Sequence, residues 1–383
     1  MEDPCDIDAL ERRPLLRDEN DTDPYSEQHR EAAEETLHYS TFTLSQKRGI
    51  VFLVSLAAIF SPLSSFIYYP ALHSIAKDIG VSLHMMDLTV TSYMIVSAIA
   101  PSIMGEMADQ VGRRPIFLLM LVVYVIANIG LALQRSFAAL ILLRMLQSLG
   151  SSGRSRHVLV ATMLTSIGTI SSSYAVVADI ASPAERGFYV GVFLCGYVLM
   201  ARTKTQTMYT HAIRPNLAPS IGPIIGGLLA ATIGWRWIFG LLTIVAGTCL
   251  LVILFVFPET NRKLVGDGSK PVSGMNKTLV ELLFSKPRED TQDPNTLEKT
   301  DFVFPNPLRS LRLVFYRDTA PVLYIHGVFY MTYCCLQVSL SSIVIDLYAF
   351  SDLEAGLMYV PFGLGCLLAS YLSGEFSRSC SIC

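Results

Sequence analysis

From about residue 46 onward, long apolar runs alternate with short polar turns. The runs cover Gly49 to about Leu72, about Met86–Met107, about Ile116–Leu133, a fourth starting at Phe137, Trp237–Phe257, about Ala320–Tyr348 and about Ala355–Tyr371. A helix needs roughly 20 apolar residues to cross a bilayer, so each complete run predicts a span. Pro62 and Pro70 predict a kinked first helix, and Pro101 falls near the inner end of the second. Proline is tolerated there where neighbours satisfy the freed carbonyls. Between Gly105 and Pro115 a short charged stretch with two glycines predicts the turn joining the second and third spans.

Two stretches break the pattern. Residues 154–168 bring Arg154, Arg156 and His157 into the middle of the fourth run, between Phe137–Gly153 and Thr169–Ile180. Residues 198–214 bring Arg202, Lys204, His211 and Arg214 into the fifth. Each Arg or Lys at the centre of a membrane helix costs about 2.5–3.5 kcal/mol on insertion scales. Deleting both stretches restores uninterrupted apolar helices. One reading is that both are translated introns, which spliced transcripts retaining them would disprove. The rival reading is a real rearrangement in which Val158–Ala181 spans alone, at the expense of the basic-residue bias.

Composition sharpens the class. The 383 residues are 51% hydrophobic and only 16% charged, with mean hydropathy +0.45. That balance predicts an all-α polytopic membrane protein. A net charge of -3 gives no basic field for nucleic acid. Residues 1–45 are acidic and polar without periodicity, which predicts a disordered cytosolic tail and no signal peptide. Within it Glu11, Leu15 and Leu16 form an acidic dileucine pattern that would direct the chain to a vacuolar membrane; without it the plasma membrane is expected. Lys47, Arg48, Arg113, Arg114, Arg186, Arg262 and Lys263 fall on one side, with Arg135 and Arg236 opposite. By the positive-inside rule the first side is cytoplasmic. The domain plan is a tail (1–45), a six-helix bundle (46–257), a polar cytosolic linker (258–318), two helices of a second bundle (319–375) and an atypical tail (376–383). The eight cysteines have neither metal-ligand nor disulfide-framework spacing. No metal, no cofactor and no enzyme chemistry are expected: nucleophile–base patterns and phosphate loops are absent from the sequence.

Three signatures carry mechanism. In the predicted turn, Gly105 and Gly112 permit tight backbone approach, while Asp109, Arg113 and Arg114 offer charge-assisted hydrogen bonds. Arg144 and Gln147 lie within an apolar run, where a guanidinium is normally turned toward protein or water. Pro219, Gly222, Pro223, Gly226 and Gly227 combine close helix packing with a bend.

Together these resemble the cytoplasmic loop motif, the fourth-helix motif and the fifth-helix antiporter motif of the major facilitator superfamily. Ser61–Ser65, Tyr68–Leu72, Leu88–Met94, Val177–Gly187, Gly234–Phe239 and Phe257–Thr260 are similar to fungal twelve-helix drug:proton antiporters, nearest the quinidine-resistance and citrate-exporter relatives. The resemblance implies a facilitator-type helical bundle with about eight of the usual twelve transmembrane helices before Cys383. It implies proton-coupled export of small organic compounds or drugs by rocking of two halves. An organic-anion exporter, citrate-like, and a truncated non-transporting membrane protein are the alternatives. The expected partners are a small organic substrate, protons and the lipid bilayer, with no nucleic acid, and the chain is expected to be a monomer.

Carried over by position, Arg144 and Gln147 would line the central cavity, with Tyr68 and Tyr93 from the first two helices. His326, Tyr330, Tyr333 and Gln337 fall near helical spacing on the seventh, where His326 is a candidate for proton coupling. Gly105, Asp109, Gly112, Arg113 and Arg114 would form a conformational latch, with Asp109–Arg113 as its ion pair. Aromatic rings favour an organic cation, whereas Arg144 favours an anion.

Overall fold

The computed structural model describes residues 40–151, 175–182, 186, 189, 217–266, 276–279, 317, 319–366 and 368. The tail, the dileucine pattern, most of the linker and the stretches 154–168 and 198–214 lie outside them.

Helix α1 (Leu44–Phe66) starts at a capping box in which Thr43 and Gln46 each accept the other's backbone N–H. Pro62 stays inside α1 without ending it. The break comes five residues later. The chain turns at Ile67–Tyr68, makes a short 3-10 helix (Tyr69–Ala71) with Pro70 in its first turn, and resumes as α2 (Leu72–Ile79). Then come α3 (Leu83–Val111), α4 (Arg113–Leu133) and α5 (Phe137–Ser151). Residues 175–180 are helical. After them come α6 (Leu217–Thr232), α7 (Arg236–Val256), the short α8 (Arg262–Val265), α9 (Ala320–Tyr348) and α10 (Asp352–Leu357). Among the described residues no strand occurs.

One sequence expectation needs correction. The turn predicted over Gly105–Pro115 shrinks to a single residue. Helix α3 runs on through Gly105 to Val111, and α4 begins at Arg113. Gly112 alone reverses the chain, at φ 125° and ψ 155°, a backbone region open to glycine. A Cβ there would come within 2.6 Å of Glu259 Oε2. The charged residues around Gly112 extend the helices because partners from elsewhere in the chain take up their polar groups.

The first span sits at the centre: 72% of its most apolar window is buried, against 33% for α7. Helix α4 packs between α5 and α7, α3 packs on α5, and α6 packs against α1, the 3-10 turn and α10. Large apolar side chains such as Ile126, Ile244, Leu251 and Val256 point outward, as a lipid-facing surface requires. Two large apolar cores are stacked along the bundle, beside a small third one of Ala108, Ile116 and Met120. One joins Ile50–Phe60 to Phe117, Leu121, Val177, Ile180, Ile253 and Phe257. The other joins Phe66–Ala76 to Met86, Val90, Leu131, Leu140, Ile238 and Leu242. Between them lies a buried polar layer.

Candidate functional site

At the centre of that layer is Arg144, which is fully buried. Its Nη1 donates to Gln147 Oε1 at 2.7 Å and to Ser64 O at 3.2 Å. Ser64 lies in the last turn of α1, whose terminal carbonyls lack intrahelical partners and form the negative end of the helix dipole. The break at Ile67–Ala71 therefore supplies what a buried cation needs. Two rings add to it: the guanidinium carbon lies 4.0 Å from the Tyr68 ring centre and 4.5 Å from that of Tyr93.

The support extends outward through hydrogen bonds. Gln147 Nε2 donates to Asn128 Oδ1 at 2.8 Å, and Asn128 Nδ2 donates to Tyr124 O. The Tyr124 and Ser64 hydroxyls pair at 2.5 Å. Tyr68 pairs with Thr89 at 2.9 Å, and Tyr93 donates to Ser61 O at 3.1 Å. Yet Arg144 Nε and Nη2, both buried, have no hydrogen-bond partner among the described residues. A buried charge normally recruits a counter-charge, and none of the hydrogen bonds to this guanidinium comes from a carboxylate. Two donors are thus left for an incoming acceptor.

Four of the predicted residues, Tyr68, Tyr93, Arg144 and Gln147, converge here. Those on α9 form an adjoining group. Tyr333 meets Tyr330 at 6.0 Å and Phe362 at 5.7 Å with tilted rings, and the Phe66 ring edge-on at 6.2 Å. Gln337 is buried, and its carbonyl accepts the Tyr359 hydroxyl. His326 is half-buried on α9, eleven residues from Gln337, or about 16 Å along the helix axis. Sequence reasoning missed Ser64, Tyr124 and Asn128. The signal was a lone amide in an apolar run, one helical turn from a tyrosine on the same face.

The predicted latch residues occupy the end where α4 begins. Arg113 Nη1 lies 2.5 Å from Asp109 Oδ1, and its Nε donates to Asp179 Oδ2 at 3.1 Å. Arg114 Nη2 donates to Leu254 O at 2.8 Å. Two arginines opening a helix oppose its positive dipole end. Glu259 offsets this: its carboxylate accepts the backbone N–H of Arg113 at 2.9 Å and of Arg114 at 3.1 Å. It also accepts those of Thr260 and Asn261. Asn261 Nδ2 in turn donates to the carbonyls of Ala108 and Asp109. In the sequence Glu259 stands out only within a stretch that carries the family resemblance; its place just after an apolar run is the available sign.

At the opposite end the α6 motif closes on its neighbours. Gly222 and Gly226 lie against the backbone of Ile67, where a Cβ on Gly226 would overlap the Ile67 carbonyl oxygen. Gly227 meets the backbone of Asp352, and a Cβ on Gly356 would lie 2.5 Å from Pro223 O. Absent side chains thus let α6 and α10 touch backbone to backbone. Pro219 and Pro223 lie in the same helix, Pro223 in its interior. Among the described residues no His, Cys, Asp and Glu grouping suits a metal ion.

Comparison with known proteins gives a consistent picture. Residues 54–201 and 216–381 match the Major Facilitator Superfamily. The chain is 36% identical over 341 residues to the MFS-type transporter phiD of a fungal species, covering 88% of this chain and 47% of that protein. It is 34% identical over 333 residues to citrate exporter 1 of Aspergillus niger, covering 87% of this chain and 57% of the exporter. The chain spans about half the length of the curated relatives it matches. A bacterial homolog of the human lysosomal transporter Spinster, solved inward-facing and unoccupied, shares the fold with TM-score 0.51 at 15% identity, covering 88% of this chain and 64% of that one.

Proposed function

This chain belongs to the major facilitator superfamily, and from that membership we propose that it acts in proton-coupled export of small organic compounds by alternating access. The observation that carries the reading is Arg144, a fully buried guanidinium at the centre of the bundle with two unpartnered donors. Buried ionisable groups in membrane bundles mark substrate or ion pathways. The glycine contacts between α6 and α10 support the conformational part, since they hold together the end opposite Asp109 and Arg113. In this reading Asp109, Arg113 and Glu259 brace the cytoplasmic face, and the plasma membrane is the site of action.

The geometry bears on the choice between drug cation and organic anion. Tyr68 and Tyr93 are buried and each turns one ring face to the Arg144 guanidinium, so neither offers an open face to an organic cation. The Arg144 edge instead offers two N–H donors, a pattern that suits a carboxylate. An organic anion is therefore the better supported substrate, in line with the citrate exporter among the relatives.

Reconstituted vesicles with an imposed proton gradient test this, with citrate and rhodamine 6G as alternative probes. Citrate flux that follows the gradient is expected. Losing charge-assisted hydrogen bonds in Arg144→Ala should lower it roughly 10–100-fold, with the chain still folded by thermal melting and circular dichroism. Undiminished flux in that variant removes Arg144 from the mechanism, and gradient-driven flux of rhodamine alone restores the drug reading.

A further inference from the structure

Where α2 approaches α9 and α10, at the end opposite the basic cluster, a second set of polar side chains meets. His73 Nδ1 lies 3.7 Å from Asp346 Oδ1, and Ser74 donates to Asp352. These contacts join the first span to two helices more than 270 residues further along the chain. His73 Nδ1 is itself shielded from solvent and makes no hydrogen bond among the described residues. Only its approach to Asp346 gives it a partner, and that partner is strong only when the imidazole is charged.

We propose that His73 and Asp346 form a proton-binding site that tightens the closure of this outer end. The inference rests on the alternating-access reading above and adds where an external proton acts. Histidine is the side chain that changes charge between about pH 5 and 8. Protonation places a cation beside the Asp346 carboxylate and draws α2 toward α9. By linkage, a closure that favours the protonated imidazole is itself favoured by external protons. Protons arriving from outside then promote the return to the outwardly closed state, the direction that export driven by an inward proton gradient requires.

The neighbouring charges leave this pair distinct. On α2 itself, Lys77 lies one turn beyond His73, and Asp78 accepts Trp235 Nε1 at 3.2 Å and faces Arg236 Nη2 at 3.5 Å. Asp352 on α10 accepts from Ser74, and Glu354 accepts from Ser351 in a capping box. Helix α3 brings His84 and Asp87 in its first turns. Among the described residues, Asp346 is the carboxylate within ion-pair distance of His73.

The test uses the full chain in vesicles, with all eight native cysteines replaced by serine and Ala355→Cys as reporter. Ala355 is buried on α10 at its contact with α6. A membrane-impermeant maleimide applied from outside reads how often that end opens. Rates are taken relative to a fully exposed cysteine measured at the same pH, because the thiolate fraction alone changes maleimide reactivity about 100-fold over this range. With His73 present, this relative rate is expected to be about 2–5-fold lower at about pH 5.5 than at about pH 7.5, the size a half-exposed ion pair supports. His73→Gln and Asp346→Asn should abolish the pH response, and His73→Arg should label slowly at both values. A pH response that persists in His73→Gln or Asp346→Asn overturns the proposal. Proton-driven citrate flux measured on the same vesicles separates the two claims. Absent flux with an intact pH response refutes the transport reading alone, and intact flux with no pH response refutes the closure alone.

Discussion

Arg144 is held by an unusual partnership of neutral groups: a carbonyl at a helix end, one amide and two tyrosine faces. Each contributes modestly, and none removes the positive charge. The consequence can be checked at Gln147. Changing Gln147→Glu puts a carboxylate where the amide oxygen now accepts at 2.7 Å. The charge pairing offsets the loss of the hydrogen bond from Gln147 Nε2 to Asn128, so fold stability should stay within about 1 kcal/mol of the parent, read as a thermal midpoint. The same change should lower citrate flux, because the guanidinium then has a resident anion. Lost activity with retained stability would distinguish a ligand-binding arginine from a structural one. Arg144 and Gln147 were legible in the sequence because a charge inside an apolar run stands out. Ser64, Tyr124 and Asn128 were not, since small hydroxyls and single amides are common in membrane helices and only their convergence across α1, α4 and α5 gives them a role.

At the scale of elements, helix ends do more than helix middles. The two arginines at the start of α4 are stable there because Glu259 supplies a carboxylate to the exposed N–H groups of the first turn. Glu259→Ala should destabilise the chain by about 1–3 kcal/mol, seen as a lower thermal midpoint, since it strands four backbone donors. Most apolar runs located the helices closely, and α9 has the bounds the sequence predicts, whereas the run expected over about Ala355–Tyr371 is interrupted by a turn at Met358–Tyr359. The joints were harder to read. Glycines and charges between Gly105 and Pro115 pointed to an extended turn, yet tertiary partners carry both helices up to Gly112. Pro62 and Pro70 pointed to one kinked helix, yet the break falls between them and only Pro70 takes part. Local sequence marks where a helix is weak; which weak point yields is decided by what packs against it.

Across the whole molecule, basic residues gather at one end and the α6–α10 contact lies at the other. With the eight native cysteines replaced by serine, a cytoplasmic basic end predicts that Lys263→Cys resists an impermeant maleimide in intact cells and reacts after permeabilisation. Arg135→Cys, in the exposed connection after α4, should react in intact cells. The reverse pattern would invert the orientation. The division of the first span links the two ends mechanically. Ile67 is pinned by Gly222 and Gly226, while Ser64 on one side reaches Arg144 and His73 on the other reaches Asp346. Ile67–Ala71 is thus the joint at which the support of the buried charge and the outer contact share one stretch of chain, with no other helix between them in the sequence.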